Sequence, residues 1–282
     1  MTPAAPEAIG GASAWTAADL GEAAEWTLPY SDDHEELARL IDERLFDGAG
    51  FAVVSGMPVA GEEDATASLL GLCRRMGELT PQTVDGKLVD RVRDEARATV
   101  RGAKTSRALV YHTDFATSVP DVFALLAVRA AKSGGESLVV SSHTVHDRLV
   151  DEAPEAARRL YGEFCFDRTG DVAPDDEPVL RAPVFQRDGG GVRTLYNRAR
   201  MHRGHRAAGV PLGAEEAAAL DAFDEVTARP ENRLEFTLAP GAAIFANNRT
   251  ILHNRRAFAD PDPSEGRLLL RVWVRHARFA GG

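Results

Sequence analysis

The chain has 282 residues, 44% of them hydrophobic and 27% charged, with a formal net charge of −10 at pH 7. That length allows one large domain or two ordinary ones of globular composition, and the acidic balance argues against a general nucleic-acid surface without excluding a local basic pocket. Two cysteines, Cys73 and Cys165, are too few for a disulfide framework or a Cys-rich zinc site, and no leader-like or membrane-length apolar run is found, so reduced thiols in a cytoplasmic protein that does not enter a membrane are expected.

Residues 1–14, rich in Ala, Pro and Gly, are expected to be loosely ordered. "SDDHEELARLIDERLFDGAG" predicts a helix capped at Ser31, with acidic residues in its first turn and apolar Leu37, Leu40, Ile41 and Leu45 at helical spacing. "FAVVSGMPV" reads as a buried strand and "EEDATASLLGLCRRMGEL" as a second helix. Residues 81–107 are polar and crowded with charge. They read as a long excursion, an active-site lid with a strand near Leu88–Val92. "DVFALLAVRAA" is a near-continuous apolar strand, and "SGGESLVVSS" turns through Gly-Gly into another. "HTVHDRLVDEAPEAARRLYGEF" is helical, with a break at Pro154. "PVLRAPVFQRDGGGVRTLYNRARM" reads as two strands around a Gly-rich turn, and "GAEEAAALDAFDEVTARP" as a helix. Three strands close the chain, in "RLEFTLAP", "GAAIFANN" and "RLLLRVWVRHAR". No repeat or composition break divides residues 1–282. The expectation is a single α+β domain, mainly β in its core, with helices outside.

The stretch "VYHTDF" places His112 and Asp114 two residues apart. On a strand they would share one side, and an imidazole beside a carboxylate suits a divalent transition metal. A solvated or ion-paired His-x-Asp has the same sequence, so a distant third ligand is needed to make the pattern specific. His253 lies just after an apolar strand, and Arg267 follows fourteen residues later. In the alternating "RLLLRVWV", Arg267, Leu269 and Arg271 share a face, and buried charges there would need partners.

His112-x-Asp114, distant His253 and Arg267 in this order resemble the taurine dioxygenase/clavaminate synthase-like branch of the Fe(II)- and 2-oxoglutarate-dependent oxygenases. "SGGESLVVS" is similar to that family's Gly-Gly-x-Thr segment, with Ser137 at the hydroxyl position. "PGAAIFANNRTILHNR" and "RLLLRVWVR" are similar to its Pro-Gly-Asp-…-Asn-…-His-x-Arg and Arg-x-x-x-Arg segments. The resemblance covers residues 30–278. It implies a double-stranded β-helix (jelly roll), a facial His112/Asp114/His253 set for Fe(II), and 2-oxoglutarate as cosubstrate with dioxygen as oxidant. It also implies that Arg267 grips the far carboxylate of 2-oxoglutarate, with Ser137 adding a hydroxyl donor. Related halogenases lack the carboxylate, so Asp114 favours hydroxylation, desaturation or ring formation over halogenation.

The expected activity is hydroxylation of an unactivated C–H bond in a small polar substrate that bears a carboxylate, an amino acid or a natural-product precursor. Arg271 is expected to meet the substrate, with Arg198 and its neighbours Asn197 and Arg200 as further candidates. Lid residues Arg91, Arg93, Arg101 and Arg107 could add positive charge. A metal-binding jelly roll that works without 2-oxoglutarate and a non-catalytic binding barrel are the alternatives. The spaced pairs His143/His146 and His202/His205 are read as surface or capping residues, since a bare H-x-x-H lacks further ligands.

Overall fold

The structure is a computed structural model and describes residues 6–95, 104–189, 191–262 and 265–279. Its centre is a seven-stranded sheet. The strands that matter here are β1 (Thr27–Pro29), β2 (Phe51–Ser55), β3 (Gly77–Leu79), β4 (Val89–Val92), β5 (Val122–Arg129), β6 (Ser137–Ser141), β7 (Arg233–Phe236), β8 (Ala243–Asn247), β9 (Ile251–Arg255) and β10 (Leu268–His276). The large sheet runs β1-β2-β8-β5-β10-β3, and β4 pairs with the opening half of β10 beside β3. A second sheet runs β7-β6-β9. The two sheets enclose a shared interior, giving a double-stranded β-helix flanked by helices.

Alternation along β5 explains the layering. Val122, Ala124, Leu126 and Val128 pack outward with Leu37, Ile41, Leu69 and Leu72, which belong to the helices His34–Asp42 and Glu62–Met76. Phe123 and Ala127 point inward with Val139, Ile244, Leu269 and Trp273. Fully buried aromatics such as Phe123 typically cost about 3–5 kcal/mol when truncated to Ala, so the interior that frames the site is also a main source of stability.

Several sequence expectations are corrected. The first helix is capped by Asp33, whose carboxylate accepts from the Glu36 N–H, and not by Ser31. His253 comes after the apolar strand β8, as expected, but it sits inside a further strand, β9. The strand Glu163–Asp167 begins at the end of the segment expected to be helical, and the helix Arg198–Ala207 begins at the end of a segment read as two strands and runs beyond it. The N-terminal segment is tied down from residue 9, because the Ile9 and Gly10 N–H groups both donate to the Asp147 carboxylate. His143, His146 and His205 are buried and hydrogen-bonded, so they are structural residues of the interior and not surface ones. The strand expected near Leu88–Val92 is β4, and it belongs to the large sheet. The proposed lid over 81–107 is therefore anchored through residue 92, while 96–103 lie outside the described residues. The Gly134-Gly135 turn needs glycine. Both have positive φ, and a Cβ at Gly134 would lie 2.2 Å from the Ala257 carbonyl oxygen.

Candidate metal and cosubstrate site

His112 forms isolated antiparallel bridges to Asn197 and His253, and Asp114 lies in irregular chain two residues on, so neither belongs to a regular strand. The backbones of His112 and His253 exchange two hydrogen bonds, His112 N–H to His253 C=O at 3.1 Å and the reverse at 3.0 Å. This sets the two imidazoles side by side, 4.2 Å between ring centres. Asn248, in the turn between β8 and β9, then clamps Asp114. Its Oδ1 accepts from the Asp114 N–H at 2.7 Å, and its Nδ2 donates to the carbonyls of Asp114 and Pro120, both at 2.9 Å. One ligand atom from each of His112, Asp114 and His253 falls within 4.8 Å of the others.

The protonation states suit a cation. His112 Nδ1 donates to the Val110 carbonyl at 2.8 Å, which leaves the lone pair on Nε2, 4.0 Å from Asp114 Oδ1. His253 Nε2 stands 3.9 Å from the same oxygen. Burial lowers the pKa of His112 and takes that of His253 down to about 3, so both rings are neutral near pH 7. Burial alone would raise the Asp114 carboxyl. The Arg271 guanidinium, with the Trp273 N–H, outweighs it and holds the group below its ordinary value. Neutral imidazoles with an ionised carboxylate are what metal binding requires.

Arg271 lines the same cavity, yet its charge is committed. Nη1 donates to Asp114 Oδ1 at 3.0 Å, Nη2 to Asp90 Oδ2 at 3.3 Å, and Nε to Gln82 Oε1 at 2.7 Å. The expected contact of Arg271 with the substrate therefore starts from a guanidinium that lines the cavity but is already paired. Arg198 differs in position. It is absent from the cavity wall, and its guanidinium pairs with Asp221 at 2.7 Å and Asp224 at 3.2 Å. Arg200 pairs with Asp171 at 2.5 Å, and Asn197 caps its helix through the Arg200 N–H. Of the expected lid arginines, Arg91 pairs with Glu62, Arg93 and Arg107 are exposed, and Arg101 lies outside the described residues.

Arg267 is the counterexample. It precedes β10, is buried, and faces the cavity with Ser137, His112 and His253. Its Nη1 is buried with no hydrogen-bond partner among the described residues, and its guanidinium lies 5.3 Å from the centre of the Phe258 ring. Burial, then the nearby Arg255, lowers its pKa. Arg255 shares the cavity wall and donates to the Thr105 carbonyl at 2.6 Å and to the Arg107 carbonyl. The cavity holds roughly 530 Å³ of empty space, some of it open to solvent. A buried guanidinium without a counter-charge is costly, and a carboxylate is its natural partner. Two neutral imidazoles and one carboxylate with positions left open are the donor set of nonhaem iron oxygenases. The residues therefore fit both Fe(II) and 2-oxoglutarate.

The residues missed from sequence are Asn248 and Trp273, which hold Asp114, and Gln82 and Asp90, which hold Arg271. Asn248 had a signal, as the Asn of the segment that resembles the family motif. The other three carried none.

Comparison with known proteins agrees with this geometry. Residues 15–273 match the model of the taurine catabolism dioxygenase TauD, TfdA family. The chain is 31% identical over 245 residues to FR-33289 synthase of Streptomyces rubellomurinus, covering 82% of this chain and 70% of that protein. It is 27% identical over 252 residues to a uridine-5′-phosphate dioxygenase of an Amycolatopsis species, covering 85% and 89% respectively. Among solved structures, asparagine oxygenase bound to Fe(II), (2S,3S)-3-hydroxyasparagine and succinate superposes with a TM-score of 0.66 at 18% identity, over 89% of this chain and 93% of that one. The nonhaem iron oxygenase OrfP with iron and α-ketoglutaric acid gives 0.63 at 18% identity, over 89% and 81%.

Proposed function

The chain belongs to the taurine catabolism dioxygenase TauD, TfdA family and is an Fe(II)- and 2-oxoglutarate-dependent oxygenase; from that premise we propose that it hydroxylates a C–H bond of a small polar substrate bearing a carboxylate. His112, Asp114 and His253 hold the iron, Arg267 takes the far carboxylate of 2-oxoglutarate by a two-point grip, and Ser137 adds a hydroxyl donor. The observation that carries this reading is the pairing, in one cavity, of a complete His112/Asp114/His253 set with a buried Arg267 Nη1 that has no hydrogen-bond partner among the described residues.

When bound, iron with 2-oxoglutarate supplies the capacity to activate dioxygen, with the cosubstrate leaving as succinate and carbon dioxide. The protein's part is placement and charge. Val110 fixes the His112 tautomer so that Nε2 keeps its lone pair. Burial keeps both imidazoles unprotonated, and Arg271 keeps Asp114 ionised. Apolar Phe123, Ile244 and Leu269 line the cavity around these groups and limit water. The intact carboxylate at Asp114 favours hydroxylation over halogenation.

The carboxylate-bearing class draws its support from relatives. Two structural neighbours were solved with hydroxylated asparagine and hydroxylated arginine. FR-33289 synthase and the uridine-5′-phosphate dioxygenase widen the class toward natural-product precursors and other small anions. No helix among the described residues is long and apolar enough to cross a membrane. We place the enzyme in the cytoplasm, acting on a diffusible small molecule.

The test is an anaerobic titration. The protein with Fe(II) and 2-oxoglutarate should develop a metal-to-ligand charge-transfer band, and its position should shift when the right substrate is added. Amino acids and nucleoside monophosphates form the two arms of the screen, followed by succinate release in air. Iron binding without any charge-transfer band would favour a jelly-roll enzyme that does not use 2-oxoglutarate. A shift with nucleotides alone would replace the carboxylate class by a phosphate class.

A further inference from the structure

The two oxygens of Asp114 are not equivalent. Oδ1 faces Nε2 of His112 and of His253 and also accepts from Arg271 Nη1 at 3.0 Å. Oδ2 accepts from the indole Nε1 of Trp273 at 2.8 Å. Trp273 is 1% exposed, two residues along β10 from Arg271 on the same face, and the Arg271 guanidinium sits 4.9 Å from its ring centre. Asn248 holds the Asp114 backbone on the other side. An indole N–H can only donate. If the carboxylate turned about its Cβ–Cγ bond, that donor would be left buried without its partner, and if it slid to offer both oxygens to one ion, the Trp273 N–H···Oδ2 bond would lengthen and bend.

We propose that Trp273 is a positioning residue that confines Asp114 to ligation through Oδ1 alone, and that with Arg271 it forms a fixed anion cradle behind the metal. The consequence lies in the number of coordination positions. Two imidazoles and one carboxylate oxygen leave three positions on a six-coordinate ion. The keto and carboxylate oxygens of 2-oxoglutarate take two. A chelating Asp114 would occupy the last, so the Trp273 N–H keeps that position available. This rests on the assignment of His112, Asp114 and His253 as the metal ligands.

The conservative variant is Trp273→Phe, which keeps an aromatic ring and removes the N–H. The loaded protein, anaerobic with Fe(II) and 2-oxoglutarate, is titrated with nitric oxide as a probe of the open position and followed by electron paramagnetic resonance. Infrared spectra of the protein labelled with ¹³C-aspartate report whether the carboxylate binds by one oxygen or two. Trp273→Phe should lose about tenfold or more in nitric oxide affinity, the scale seen when outer partners of metal ligands are removed. Its affinity for 2-oxoglutarate should stay within about threefold, and its carboxylate bands should move toward the chelating pattern. Unchanged nitric oxide affinity with unchanged bands overturns the proposal while leaving the metal assignment intact. Failure of the wild-type protein to bind iron overturns the assignment itself.

A second measurement holds even if Trp273→Phe folds poorly. In Asp114→Gly the cradle remains, and added formate should be held by Arg271 and Trp273 and restore part of the iron affinity. Formate should have no such effect in Asp114→Gly combined with Arg271→Met. The absence of any formate effect in Asp114→Gly also overturns the proposal.

Discussion

Arg267 and Arg271 stand four residues apart at the two ends of one cavity, and they meet burial in opposite ways. At the Asp114 corner every charge has an answer. Arg271 is held by Asp114, Asp90 and Gln82, and Lys104 lies 3.2 Å from the far side of Asp90. At the Arg267 corner a guanidinium of similar burial has an Nη1 with no hydrogen-bond partner among the described residues and a second arginine, Arg255, nearby. A satisfied network is a scaffold, whereas an unsatisfied buried cation costs stability until a ligand answers it. One corner is complete in the chain alone, and the other is completed by the cosubstrate.

The largest effect should come from breaking the ligand set. His112→Ala, Asp114→Ala or His253→Ala should each abolish turnover and greatly weaken iron binding, read by chelator competition and succinate formation. A variant with near wild-type succinate production would remove that residue from the set.

The sharpest contrast is between the two arginines. Arg271→Ala leaves Asp114 and Asp90 buried without their shared counter-charge and should cost about 3–5 kcal/mol of stability. Arg267→Met removes a buried guanidinium whose Nη1 is unpartnered among the described residues and whose charge is met only by the Phe258 ring and the attraction of Asp260, so the ligand-free protein should be unchanged or more stable in urea melts. The same Arg267→Met should lose about 2–5 kcal/mol of 2-oxoglutarate binding, roughly 30-fold or more. Arg267→Lys should recover little, since a point charge lacks the planar fork. Equal destabilisation by the two substitutions would erase the distinction between the corners.

How legible this was depends on the range over which each feature is encoded. The ordered set His112, Asp114, Ser137, His253 and Arg267 was readable because its order and spacing resemble a known family, while no single member is specific by itself. The apolar runs of β2, β5 and β10 were readable from local pattern. The pairing of Arg271 was not legible because its partners, Gln82 and Asp90, come from a charged stretch 181 or more residues away that pattern alone renders as solvent-facing. Trp273 reads in sequence as one more core aromatic. Only the fold brings its N–H to Asp114, 159 residues off. The helix Arg198–Ala207 was missed because it is strongly basic. Its buried side is Met201, Gly204 and His205, and Gly204 allows such close approach that an added Cβ would lie 2.5 Å from the Cys165 carbonyl.

A pH series sharpens the Asp114 corner. The folded pKa of His253, about 3, lies below the value of about 6.5 expected when unfolded. Below pH 6.5 the unfolded chain binds a proton that the folded chain refuses, so stability is full above that pH and is lost as pH falls toward 3. At pH 5 this group should account for about 2 kcal/mol. His253→Gln should flatten the decline by that amount in metal-free melts at pH 7.5 and pH 5. Parallel declines in the two proteins would mean that His253 is not held neutral by burial.

The smallest expected effect probes how much of the Arg267 corner is the arginine alone. Ser137 opens β6, pairs with Arg255 in register, and faces the cavity with Arg267. Its hydroxyl can donate to a carboxylate oxygen that Arg267 already grips, and a neutral hydrogen bond of this kind contributes about 0.5–1.5 kcal/mol. Ser137→Ala should therefore weaken 2-oxoglutarate binding by roughly two- to tenfold and leave iron affinity unchanged. Ser137→Thr restores the hydroxyl and adds a methyl in a cavity already lined by Leu125 and Ile244. Its affinity should stay within about twofold of wild type. Calorimetric titration with 2-oxoglutarate on the iron-loaded variants decides the matter. If Ser137→Ala binds as tightly as wild type, the cosubstrate's far carboxylate is held by guanidinium alone, and the corner is simpler than drawn here.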